Sequence, residues 1–218
     1  MEKKEIRNYQ IGTVEIRTDE EAGKKLIRGY AVEWDKLSLD LGWFREKIDR
    51  HAFDKSLQDG NQKAYWNHNT DLVLGSTKSG TLKLEADNRG LYYEIDAPDS
   101  PAGENARVAI ERGDVDGTSF GFWPTRVEWD ETDPENPIRT ILEGVLDEIS
   151  PTPRPAYEGA SSASYRSTED VYAEHRQESQ QESTEEAQES RENSEESPIQ
   201  ENGNKIELEK LKLIEMEI

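Results

Sequence analysis

The sequence predicts a β-rich barrel or sandwich with two peripheral helices, followed by an acidic tail that adds nothing to the core. Three observations carry this expectation. Short alternating or β-branched runs bounded by Gly, Asn and Asp recur through the first 165 residues. All five Trp and all four Phe lie before Arg166, so apolar burial has to come from that part of the chain. From Arg166 onward, 16 Asp or Glu stand against 6 Lys or Arg, a net of -10 in 53 residues.

The predicted strands are Thr13 to Arg17 (TVEIR), Leu26 to Trp34 (LIRGYAVEW), Leu72 to Leu74, Thr81 to Ala86 (TLKLEA) and Leu91 to Ile95 (LYYEI). Asp87-Asn88-Arg89-Gly90 reads as a hairpin turn between the last two. Thr118 to Trp129 and Ile138 to Ile149 follow as two longer strands joined by the polar turn DETDPENP. One helix is expected over Phe44 to Leu57, where Phe44, Ile48, Ala52, Phe53 and Leu57 form an approximate i, i+4 stripe. A second starts at Ser100 as N-cap with Pro101 in the first turn, runs through Val108 and Ile110, and stops at Gly113. Many strands with two helices give an α+β protein that is mostly β.

Residues 166–204 read as a disordered, Glu/Gln/Ser-rich acidic linker, since Arg176 to Asn204 has almost nothing apolar to offset ordering entropy. The same composition allows a single helix, polar all round and without a packing face. Residues 205–218 (KIELEKLKLIEMEI) regain apolar side chains, at neither a clean period of 3.6 nor one of 2, and suit a short amphipathic partner-binding segment, the start of a scaffold region or a frayed terminus.

Composition narrows the chemistry. The 218 residues contain no Cys, which excludes thiolate nucleophiles, disulfides, thiolate zinc sites and iron-sulfur clusters together. A net charge of -21 repels phosphate backbones, so nucleic acid is not the expected partner. No run approaches the roughly 20 apolar residues of a membrane span, and no charged-then-apolar leader opens the chain, so a soluble, unexported protein is expected. Neither a cofactor nor a metal is expected.

What remains is a hydroxyl activated by imidazole. His68, in Tyr65-Trp66-Asn67-His68-Asn69, is the candidate general base: an imidazole with a pKa near ~6.5 can take a proton from Ser and return it to a leaving amine. An exposed loop histidine would leave the same local sequence. His51 reads as helix surface, and His175 begins the acidic tail. Ser119, in Gly117-Thr118-Ser119-Phe120-Gly121-Phe122, is the candidate nucleophile, because glycines let a substrate backbone approach and a strand fixes the hydroxyl. It equally suits a strand-edge serine beside a bulge glycine. A carboxylate should orient the imidazole. Asp147 and Glu148 follow on the next strand, and alternation allows only one of the two to face the histidine.

In their order, these segments resemble a known family. His68, Gly-Thr-Ser-Phe-Gly-Phe around Ser119, and Glu148-Ile149-Ser150-Pro151 followed by Pro155-Ala156-Tyr157 look like the prohead maturation proteases of tailed bacteriophages. Arg28-Gly29-Tyr30-Ala31, the segment from Glu46 to Leu57 with Ala52-Phe53, and Gly113-Asp114-Val115 extend the likeness over roughly residues 6–160. Arg50-His51-Ala52-Phe53 departs from the family's usual Pro-Gly-Ala-Phe.

The resemblance implies a serine endopeptidase in residues 1–165 with a herpesvirus assemblin-like fold, a small closed or partly closed β-barrel ringed by helices. Ser119 is then the nucleophile and His68 the base, and Glu148 takes the third place because it belongs to the matching Glu-Ile-Ser-Pro segment. The implied substrates are scaffold and the scaffold-like arm of the major capsid protein, cut inside the procapsid in the host cytoplasm. The portal is a further candidate partner, and dimerisation is an expectation from the assemblin relatives. Backbone amides of the Ser150 to Pro155 turn are candidate oxyanion donors, with Arg154 holding a water or that loop. The tail is a candidate tether and a candidate site of self-cleavage near or beyond Arg166.

Two other classes compete. A non-enzymatic acidic capsid-assembly chaperone or scaffolding protein would need neither Ser119 nor His68. A calcium module is suggested by Asp114, Asp116 and Asp130 to Glu135, but these lack the 12-residue spacing and central Gly of an EF-hand loop.

Overall fold

A computed structural model describes residues 4–9, 14–20, 23–38, 40–153 and 167–195. The elements are β1 (Glu5–Tyr9), β2 (Glu15–Asp19), β3 (Lys24–Glu33), β4 (Arg45–Ile48), α1 (Asp54–Asp59), β5 (Lys63–Trp66) and β6 (Asn69–Ser76). They continue with β7 (Leu82–Ala86), β8 (Gly90–Ile95), α2 (Pro101–Glu111), β9 (Gly117–Asp130), β10 (Ile138–Thr152) and α3 (Thr168–Glu195). The chain divides into two compact units, residues 1–173 and 174–218.

The strands form two sheets rather than a closed barrel. One runs β1-β9-β10-β5-β6, with β4 also on β10; the other runs β2-β3-β8-β7. Both keep open edge strands among the described residues, which corrects the closed form of the expected closed or partly closed barrel. They share one core: Ile27, Tyr93 and Ile95 of the smaller sheet and Phe120, Phe122 and Ile149 of the larger are all fully buried, with Phe53 beside them. Tyr93 and Thr118 link the sheets by a buried hydroxyl pair at 2.6 Å.

β10 is the spine of the larger sheet. Its 15 residues pair antiparallel with β9 along one side, and parallel with β4 near one end and β5 near the other along the opposite side. Bulges at Ile141/Glu143, Glu143/Gly144 and Leu146/Glu148 bend this ladder.

α2 matches expectation in detail: the Ser100 side chain accepts from the Gly103 N–H, Pro101 opens the helix, and Gly113 leaves it at φ 76°. The hairpin at Asp87 also forms, its carboxylate accepting from the Arg89 and Gly90 N–H groups. The helix expected over Phe44 to Leu57 does not form as such. Residues Arg45–Ile48 are β4, and only Asp54–Asp59 are helical. Glu46 and Ile48 are the buried side of β4, and Phe44 just ahead of it is buried too. A glutamate at the middle position hides the alternation that would have identified a strand.

That glutamate belongs to a buried quartet of charges. Arg7 Nε donates to Glu46 Oε1 at 2.8 Å, and Arg139 Nη1 donates to Glu5 Oε2 at 2.7 Å and Glu46 Oε2 at 3.0 Å. Arg7 also pairs with Glu5, and all four residues are at most 4% exposed. Two positive and two negative charges offset each other's desolvation only while all four are in place. The quartet ties β1 and β4 to β10.

α3 occupies residues expected as coil. Its first turn is anchored in the first unit by the buried Val171 and by Tyr172, whose ring lies 5.9 Å from Trp129 and 6.4 Å from Trp43. Farther along, the helix is the polar-all-round kind that the composition allowed, with Ser179, Ser183 and Thr184 hydroxyls donating to carbonyls four residues back. The segment 205–218 lies outside the described residues. No described helix is long and apolar enough to cross a membrane.

Glu46→Gln should lower unfolding free energy by about 3 kcal/mol, because it leaves two buried guanidinium groups facing one carboxylate. Lys24→Met, which breaks the exposed and solvent-screened Lys24–Asp96 pair, should leave stability almost unchanged. Urea titrations of both variants followed by Trp fluorescence check the contrast.

Candidate active site

The site is built on β9, β10 and the β5–β6 hairpin. Trp66 pairs with Asn69, so Asn67-His68 is a two-residue loop. Both loop residues have positive φ, 51° and 59°, as a type I′ hairpin turn requires. Asn tolerates that conformation readily; His does so at some cost, and so has to be held. The holding bonds come from the end of β10. Asn67 N–H donates to the Pro151 carbonyl at 3.1 Å, Thr152 Oγ1 to Asn67 Oδ1 at 2.8 Å, and His68 N–H to Ser150 Oγ at 3.3 Å.

This docking sets the imidazole against Glu148, with Nδ1 3.2 Å from Oε1. Ser150 Oγ donates to the other carboxylate oxygen at 2.9 Å. Glu148 is 1% exposed. Burial alone would raise its pKa, but the hydrogen bond and charge of His68, then those of Lys4, outweigh burial and pull it from the ordinary 4.5 to about 2. At neutral pH Glu148 is therefore an acceptor only, so His68 Nδ1 is the donor of this bond, and in the neutral imidazole the lone pair then sits on Nε2. Nε2 is buried and has no hydrogen-bond partner among the described residues.

Ser119 lies on β9 directly opposite Ser150, and Asn8 of β1 is its partner on the other side. Directly opposed residues share a face, so Ser119, Ser150 and Glu148 line one side of the sheet, away from Phe120 and Ile149. Ser119 is fully buried, and its hydroxyl donates to the Arg7 carbonyl at 2.9 Å. The structure thus brings His68 and Glu148 into contact and sets Ser119 across Ser150 from them, its proton turned toward β1.

Asp147 does not reach the imidazole. It is the extra residue of the Leu146/Glu148 bulge, and its carboxylate meets Lys4 Nζ at 2.6 Å. The same ammonium lies 2.7 Å from Glu148 Oε1. Strict alternation would have sent the two acids to opposite faces; the bulge lets both converge on one cation. Lys4, Ser150, Asn67 and Thr152 are the members of this cluster that the sequence did not single out. Ser150 enters the sequence reading only within Glu-Ile-Ser-Pro and as the start of the Ser150 to Pro155 turn, with no role for its side chain, and nothing local to Lys4 marks it.

Residues 150–152 belong to β10 rather than to a turn, pairing with Ser119, Thr118 and Gly117. Arg154 and Pro155 lie outside the described residues. His51 is exposed and pairs with Asp54 at 2.9 Å. Asp114, Asp130 and Asp133 engage Arg112, Thr132 and Asn136 in local turn contacts. A cavity of about 790 Å³ opens beside β3, β6 and α2, and none of His68, Ser119 and Glu148 lines it.

Residues 12–174 match the family model of the caudovirus prohead serine protease. The chain belongs to that family. The matched stretch contains His68, Ser119 and Glu148 and leaves out β1. Among solved structures, this prohead-protease chain is similar to the bacteriophage T4 capsid assembly protease gp21, at 11% identity and a TM-score of 0.47, covering 69% of this chain and 97% of that one. No curated protein matches it in sequence.

Because the Glu148 pKa is lowered on folding, its charge stabilises the native state above about pH 4.5, and that contribution is lost as pH falls toward 2. The depression corresponds to roughly 3 kcal/mol. Urea titrations at pH 6 and pH 3 should show wild type losing more stability than Glu148→Gln over this interval.

Proposed function

We propose that this chain is the endopeptidase of capsid maturation, with Ser119 as nucleophile, His68 as general base and Glu148 as the acid that orients the imidazole. Family membership supports a serine protease. The observation that supports the residue assignment is the His68–Glu148 contact, which fixes the imidazole with its Nε2 lone pair uncommitted, on the sheet face that carries Ser119.

In this reading the Ser119 hydroxyl turns from the Arg7 carbonyl to His68 Nε2. Oγ then attacks the scissile carbonyl carbon while its proton passes to Nε2. Glu148 stabilises the imidazolium without taking its proton. The tetrahedral adduct collapses as the same proton moves to the leaving amine, giving an acyl-enzyme. Water, deprotonated by His68, releases the acyl group and restores Ser119. The substrates are scaffold and the scaffold-like arm of the major capsid protein, inside the procapsid, with the portal and a second copy of the chain as further partners. Self-cleavage near or beyond Arg166 belongs to the same proposal.

Co-expression with the neighbouring capsid precursor, followed by mass spectrometry of the fragments, tests the reading. Ser119→Ala and His68→Ala should each reduce trimming by about four orders of magnitude, and the double variant should lose little more, since the two groups act as a unit. Glu148→Gln should cost less than either. Trimming that persists in Ser119→Ala refutes the assignment and leaves the acidic assembly-chaperone alternative. Gels of purified wild type and Ser119→Ala report on the tail, because identical tail loss in both excludes self-processing.

A further inference from the structure

Lys4 stands just ahead of β1, outside the family-matched residues, yet its ammonium is in the middle of the site. Nζ lies 2.7 Å from Glu148 Oε1, the oxygen that also faces His68 Nδ1, and 2.6 Å from Asp147 Oδ2. The Lys4 side chain is 14% exposed, against 38% for Asp147 and 1% for Glu148. Its course runs over Gly121: a Cβ there would come within 2.2 Å of Lys4 Cε and 3.0 Å of Glu148 Cγ. The second glycine of the Ser119 segment thus makes room for this lysine, where the sequence suggested room for substrate. β1 itself is fixed by the buried quartet through Glu5 and Arg7, so the lysine is delivered from a rigid strand.

We propose that Lys4 is a positioning residue for Glu148: by holding Oε1, with Asp147 steadying the ammonium, it keeps the carboxylate ionised and turned to His68. This rests on the protease reading of the site. The physical need is plain. A buried carboxylate with only a neutral imidazole and a hydroxyl beside it gains by taking up a proton. Once protonated it could donate to Nδ1, and the tautomer with a lone pair on Nε2 would no longer be enforced. The groups facing Glu148 are His68 from the hairpin, Ser150 and Asp147 from β10, Lys4 ahead of β1, and Tyr65 from β5. Burial first, then the charges of Asp147 and Glu148, raise the Tyr65 hydroxyl pKa, so it stays neutral. Lys4 is the permanent cation of this set.

The test uses the full chain with Lys4→Met and Lys4→Arg. In a Ser119→Ala background, carbon NMR of the Glu148 carboxyl should show its titration midpoint rising by about one pH unit or more in Lys4→Met and returning most of the way in Lys4→Arg. In the active background, the probe is a peptide spanning the cleavage site mapped in the capsid precursor. On it, Lys4→Met should lower kcat about ten-fold with KM within about two-fold, and Lys4→Arg should recover most of the loss. Gly121→Ala, whose methyl displaces the lysine, should resemble Lys4→Met and serves if that variant fails to fold. A Glu148 midpoint unmoved by Lys4→Met overturns the inference whether or not the enzyme cuts. So does equal loss of activity in Lys4→Met and Lys4→Arg. Wild type without Ser119-dependent cleavage sinks the protease reading instead, and the NMR comparison separates the two failures.

Discussion

Four charges buried together are what the architecture depends on. Glu5, Arg7, Glu46 and Arg139 come from β1, β4 and β10, strands far apart in sequence, and none can leave the cluster without stranding an opposite charge in an apolar interior. Such a cluster is a weak source of net stability but a strict selector of arrangement. Hydrophobic packing would accept several placements of a five-residue strand such as β1 on the edge of β9; paired guanidinium and carboxylate groups accept one. That selection fixes the register in which Asn8 lies opposite Ser119, so it also sets which carbonyl receives the serine proton.

On the other face of the same sheet, electrostatics serve placement again. Glu148 is bonded at both oxygens, to Ser150 at one and to His68 and Lys4 at the other. Each partner comes from a different part of the sheet, so the imidazole orientation depends on β1, β10 and the β5–β6 hairpin at once. The acids are unevenly spread as well, with a net of -11 over residues 1–165 and -10 over the 53 residues from Arg166.

Much of this could be read from the residues. Alternation identified β2, β3, β7 and β8, and the long β9–β10 hairpin was evident from its apolar runs and polar turn. Ser100, Pro101 and Gly113 framed α2 because capping chemistry is local. Two of the failures share a cause. β4 looked like a helix because a charged residue occupied a core position, and β1 was missed because Glu5 and Arg7 break the apolar pattern that betrays a strand. A buried ion pair is legible only when both partners are known, and apart from Glu5–Arg7 these are separated by 39 to 134 positions. At the site, His68, Ser119 and Glu148 were found by residue chemistry and family likeness. Lys4 was invisible because its role arises from a bulge and a missing Cβ, neither of which leaves a local signature. Coil over 168–195 was expected from composition, which does not register the anchoring of Val171 and Tyr172.

The β5–β6 loop measures out the position of the base. With two residues between Trp66 and Asn69, both left-handed, the ring is delivered to one side of β10; adding or removing a single residue would slip the pairing and invert the side on which each following side chain emerges. Most surface connections tolerate a change of length; here one residue more or less would carry the imidazole away from Glu148.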